Sequence, residues 1–162
     1  MGSKSLAMIC LVASLTMGCE YLERPKGFTI PASLGDHLGI AFGGQEGFLS
    51  ATLSKPQTEC FSYKEFVKVG DTTKQVWRYK IVVTAQVNAA MKNREAWPFA
   101  SPKGTVRVEI RSPKPVILAS QDVEHTFILD VETSLVTASF YGLTEDEVER
   151  IHHVELNWHY SR

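Results

Sequence analysis

The sequence predicts an all-β fold, a two-sheet antiparallel sandwich of immunoglobulin-like type with one short helix near residues 144–151. Three observations carry this prediction. Apolar and polar residues alternate with period two through several stretches, as in strands with one buried face. Turn residues separate those stretches at short intervals. Only one segment shows a helix-start signature. Hydrophobic content of 44% and charged content of 22% over 162 residues are globular proportions that allow a sizeable core in one domain.

The elements follow in chain order. Residues 27–47 place glycines around GFTIP and HLGIAFGG, a pattern of short strands and turns, since glycine weakens a helix interior. FLSATLS and CFSYKEFVKV read as two strands separated at Pro56, the second alternating through Phe61 and Tyr63. Gly70 and Asp71 supply the next turn. From Val76, the residues Trp77, Tyr79, Ile81, Val83, Ala85 and Val87 occupy alternate positions of one long strand.

GTVRVEIRS repeats the pattern, with Val106, Val108 and Ile110 on one face and Arg107, Glu109 and Arg111 on the other. Beyond Pro113 and Pro115, the runs PVILAS, HTFILDVE and SLVTASFYG read as further strands rich in β-branched and aromatic residues. Thr144-Glu145-Asp146-Glu147 has the form of a capping box, and Val148 and Ile151 give that helix a small apolar side. In the final strand, Val154, Leu156, Trp158 and Tyr160 alternate with His153, Glu155, Asn157 and His159.

The amino-terminal segment carries an address. Residues 1–18 combine Lys4, an apolar run over about Leu6–Met17 and Gly18 before Cys19, the layout of an export signal. The run is shorter than the roughly 20 residues of a membrane-spanning helix. Leu15-Thr16-Met17-Gly18-Cys19 resembles a bacterial lipobox. The resemblance implies cleavage before Cys19, diacylation of that cysteine, and a lipoprotein held in the bacterial cell envelope facing the periplasm or exterior. Glu20, the residue that follows, does not decide between inner and outer membrane. A myristoyl site is disfavoured because position six is Leu6 rather than Ser or Thr.

The expected organisation is therefore a signal over 1–18, a lipidated tether over 19–26 containing Pro25, and a sandwich over 27–162. With Cys10 removed and Cys19 lipidated, Cys60 stands alone and forms no internal disulfide. From about Gln75 to Arg162, the order of strands and short helix distantly resembles FxLYD-type and similar immunoglobulin-like modules of bacterial envelope lipoproteins.

Catalytic signatures are sparse. A Gly-x-Ser-x-Gly nucleophile elbow is absent, and Gly35, Gly39, Gly43, Gly44 and Gly47 lead to no phosphate-loop Lys-Ser or Lys-Thr pair. Cys60 beside Phe61 reads as a buried cysteine rather than an activated thiol. Glu145, Asp146 and Glu147 suit a helix start better than a glycosidase carboxylate pair.

His152, His153 and His159 raise a metal hypothesis that strand geometry opposes. Adjacent strand residues point to opposite faces, and His153 and His159 lie roughly 20 Å apart at about 3.3 Å per residue. His37 and His125 are the remaining histidines. No metal site and no cofactor are therefore expected. With 17 basic and 18 acidic residues, the charge does not favour nucleic acid.

The strongest contact candidate is the loop Met91–Gly104, which presents Trp97, Pro98 and Phe99 among charged neighbours. Two readings of it stand: a contact surface, or a loop folded back with Trp97 closing the end of the sandwich. The expected function is a noncatalytic, membrane-anchored module that binds a membrane-proximal protein or assembles a complex. The alternative is a small-ligand, glycan or peptidoglycan binder using aromatics such as Tyr63, Trp77 and Trp158. A hydrolase built from scattered acids and histidines is the third reading.

Overall fold

The structure, a computed structural model, describes residues 28–44, 47–114 and 116–159. The expected signal, Cys19 and the tether lie outside the described residues, as does Tyr160. The described chain is a two-sheet sandwich. The strands are β1 (Ala32–Leu34), β2 (Gly39–Phe42), β3 (Leu49–Val69), β4 (Thr72–Met91), β5 (Lys103–Arg111), β6 (Ile117–Thr126), β7 (Thr133–Leu143) and β8 (His153–His159), with helix α1 (Glu145–Glu149) between the last two.

One sheet has the order β2-β3-β4-β7 and the other β1-β8-β5-β6. All pairs are antiparallel except β1 with β8. β4 lies beside β7 and β5 beside β8, so two crossovers interlock the sheets.

Period-two alternation places the core. Ile81, Val83, Ala85 and Val87 of β4 are buried against Val106, Val108 and Ile110 of β5 and Val154, Leu156 and Trp158 of β8. Each fully buried branched side chain contributes about 1.5–3 kcal/mol. α1 forms as its capping box specifies: Thr144 Oγ1 accepts from the Glu147 amide at 3.3 Å, and Glu147 Oε2 accepts from the Thr144 amide at 2.7 Å. Val148 buries its one apolar side.

The structure corrects three sequence readings. Pro56 does not separate two strands; β3 is a single strand of 21 residues that absorbs the proline in a register shift between Ser54 and Gln57, with Lys55 at φ 48°. A bulge accommodates a residue that cannot donate to the ladder. HTFILDVE is not a strand: His125 and Thr126 end β6, and Phe127–Glu132 form the loop to β7, with Asp130 at φ 63°. Phe127 buries while Ile128, Leu129 and Val131 are exposed.

The third correction concerns Glu109, expected on the wet face but only 8% exposed. It stands opposite Glu155 in register. Arg111 bonds Glu109 and, at 3.2 Å, Glu155, offsetting the repulsion of the two carboxylates.

Candidate functional site

The sandwich has two unlike ends. β4 runs from one to the other and β8 runs alongside β1 in the same sense, so strand ends sort cleanly. The first end holds the β3–β4 turn, α1 and the start of β1. The second holds the loops 92–102 and 127–132 and the end of β8.

At the second end, an aromatic ladder leads from core to surface. Trp158 packs near Phe127 with ring centroids 5.9 Å apart, Phe127 meets Phe42 at 5.3 Å, Phe42 meets Phe48 at 6.4 Å, and Phe48 meets Trp97 edge-on at 5.9 Å. Gly104 lets this ladder close, because a Cβ there would come within 2.8 Å of the Trp158 ring. Trp97 is half-buried and has the packing expected of an end plug. Pro98 is half-buried and Phe99 fully exposed. The candidate triplet thus divides: Trp97 fastens the loop and Phe99 is available for contact.

The loop is tied down by its own polar contacts. Arg94 forms an ion pair with Asp130 across the two loops, the Lys92 amide donates to the Phe48 carbonyl at 2.8 Å, and Asn93 Oδ1 accepts from the Glu95 amide at 3.1 Å. Beside the tie lies a groove of about 430 Å³ lined by Leu49, Ala89, Met91, Ile128, Val131 and Glu132, among others. Exposed Ile128, Leu129, Val131 and Leu135 add apolar surface to this end. Sequence reading missed the loop 127–132 because FILDV has the composition of a buried strand; the signal against that reading is Asp130, which tolerates the left-handed backbone.

At the first end, the β3–β4 hairpin outruns its neighbours. β7 pairs with β4 only as far as Tyr79, and β2 pairs with β3 only over Leu49–Thr52. From Tyr63 and Arg78 outward the hairpin is a two-stranded arm closed at Gly70, whose φ of 62° suits glycine. Lys64 pairs with Trp77, Phe66 with Gln75 and Lys68 with Thr73, all on the face continuous with the core. Trp77 is 50% exposed and Phe66 60%, because the opposing sheet ends before reaching them.

The three aromatics proposed for ligand binding do not share a surface. Tyr63 lies on the opposite face from Trp77, its hydroxyl accepting from the Gly142 amide at 3.0 Å, and Trp158 is 1% exposed in the core.

The histidines are also dispersed. His152 and His153 were expected on opposite faces, yet their Nδ1 atoms stand 3.0 Å apart, because His152 precedes the strand and escapes its alternation. His153 and His159 occupy the two ends of β8, and His125 Nε2 lies 3.1 Å from Ser134 Oγ. Among the described residues, no group of three His, Cys, Asp or Glu side chains is gathered for a metal.

Cys60 is buried and unbridged, and burial pushes its thiol pKa up, away from the thiolate that nucleophilic chemistry uses. Comparison with protein-family models, curated proteins and solved structures gives no match.

Proposed function

We propose that the protein is a noncatalytic lipoprotein of the bacterial envelope, anchored through Cys19, whose loop end binds another protein. The observation that carries this reading is the apolar surface at the second end. Phe99 and Ile128 are exposed beside a groove whose loops are fixed by Trp97 on Phe48 and by the Arg94–Asp130 pair. A preordered aromatic and aliphatic surface binds at low entropic cost.

The described chain starts at Phe28, which packs edge-on against Tyr79 at 5.7 Å, and Thr58 Oγ1 donates to the Ile30 carbonyl. Phe28 thus stands at the arm's base, and an anchor on the residues before it would favour the arm end facing the membrane and the loop end facing away.

Two comparisons test the proposal. Cys19→Ser is expected to move the protein from the membrane to soluble fractions after a high-salt wash; retention equal to wild type contradicts the anchor. Crosslinked partner recovery from membranes is expected to fall with Phe99→Asp and Ile128→Asp while thermal stability stays near wild type. Unchanged recovery contradicts the loop surface.

A small-ligand reading is favoured by one observation, the groove volume of about 430 Å³, which falls within the size range of ligand pockets. A thermal-shift panel of glycans and peptidoglycan fragments separates it: stabilisation that is lost in Val131→Trp supports a ligand over a protein partner.

A further inference from the structure

We propose that the β3–β4 arm docks on an anionic phospholipid surface, with Phe66 and Trp77 entering the headgroup region and Lys64 and Lys68, on the same face, meeting lipid phosphates. The inference rests on the proposed Cys19 anchor for its placement, but its chemistry belongs to the arm.

Three features identify the occupant. The first is an amphipathic pattern that no described strand of the facing sheet covers. Trp77 and Phe66 lie on the arm's core-side face beyond the second sheet, and Lys64 Nζ sits 5.1 Å from the Trp77 ring centroid. Aromatic rings with flanking lysines suit a membrane interface, where rings settle at headgroup depth and ammonium groups reach the phosphates.

The second is charge. Between Phe61 and Lys80 the chain carries Lys64, Lys68, Lys74, Arg78 and Lys80 against only Glu65 and Asp71, within a protein of net charge −1. Arg78 is engaged by Glu65 at 3.1 Å and Lys80 stands 4.6 Å from the Tyr141 ring centroid. The lysines nearest the tip, Lys68 and Lys74, are exposed. They also oppose pairing of two arms edge to edge, which bare apolar strands would otherwise invite. The acids of α1 stand at the arm's base, where Glu147 feels Arg78. The tip lies about 23 Å farther out at 3.3 Å per residue, beyond two Debye lengths at physiological salt, about 8 Å each.

The third is reach. Phe28 emerges beside Tyr79 at the arm's base, and the nine-residue stretch from Cys19 to Phe28 spans at most about 30 Å. An anchor on that stretch keeps the arm's base within about 30 Å of the lipid, a distance comparable to the arm's own length. The arm and the tether then make two contacts with one surface, and the second is strengthened by the effective concentration that the first imposes.

The test uses the full chain reconstituted in vesicles containing phosphatidylcholine brominated on its acyl chains, with or without phosphatidylglycerol. Emission from Trp77 is isolated by subtracting Trp77→Phe. Quenching of Trp77 in vesicles with phosphatidylglycerol, relieved in pure phosphatidylcholine and by salt, is the expected result. Lys64→Gln and Lys68→Gln should each lower the docked-to-free ratio about fivefold, the effect of about 1 kcal/mol per basic residue at an anionic surface.

Trp77 emission indifferent to bromination in anionic vesicles overturns the proposal, as does a photocrosslinker at Phe66 that captures protein and no lipid. Failure of the anchor reads out separately: the wild-type chain then leaves neutral vesicles after a salt wash, while Trp77 is still quenched when the same chain is added to anionic ones.

Discussion

Trp97 and Trp77 hold similar places in the chain, each near an end of β4 and each half in solvent, yet the structure uses them differently. Trp97 terminates a ladder of rings that starts at Trp158 in the core. Trp77 rests on a ribbon that no strand among the described residues faces, with Lys64 Nζ near its ring. An aromatic side chain with ring neighbours on its buried side contributes to stability, whereas one outside the core is free to serve another surface. The loop end is thus fastened to the fold and the arm end projects from it.

Substitutions graded along that axis sharpen or break the contrast. Trp158→Ala should cost about 3–5 kcal/mol, the range for a fully buried aromatic truncated to Ala, seen as a large drop in the denaturant midpoint. Arg111→Met leaves Glu109 and Glu155 facing each other without their shared cation and should cost about 2 kcal/mol, below the usual figure for a buried pair because Arg111 is partly exposed. Trp97→Ala should cost about 1–2 kcal/mol by chemical denaturation, for loss of a half-buried ring and its edge contact with Phe48. Trp77→Ala should stay within about 0.5 kcal/mol of wild type, as surface substitutions do. Equal costs for the two tryptophans would erase the distinction.

The smallest effect is a pH dependence confined to the loop end. Burial lowers the His125 pKa below the usual histidine value, and its ring packs against Phe127 at 4.9 Å. The unfolded chain therefore binds a proton more readily than the folded one, so the contribution is fully present above about pH 6.5 and is lost as pH falls toward the folded value. Thermal melts between about pH 7.5 and 5.5 should decline less for His125→Gln than for wild type.

The core was legible because alternation is a strong signal wherever one face is buried: Val106, Val108, Ile110, Val154, Leu156 and Trp158 all point inward as their spacing predicts. The capping box at Thr144 was equally plain, since it depends on four adjacent residues. Sequence reading overran the core at both ends. Trp77 continues the inward register of Tyr79 and Ile81, and nothing in the sequence marks where the facing sheet stops. Ile128, Leu129 and Val131 look like a strand, but they form a loop that turns at Asp130, whose φ is 63° and whose carboxylate meets Arg94, distant in sequence. Trp97 and Phe99 mark the candidate loop in the sequence; their division of labour depends on Phe48, which no local pattern links to them. No local pattern marks the arm's lysines, because the hairpin's overhang depends on where β2 and β7 stop pairing.

The two ends of the sandwich are thus proposed to meet different surroundings. The most direct test places one photocrosslinking residue at Phe66 and, in a second variant, at Phe99, and irradiates membranes holding each protein. Lipid adducts are expected from position 66 and a discrete protein adduct from position 99; protein adducts from 66, or lipid adducts from 99, would overturn the division between the two ends.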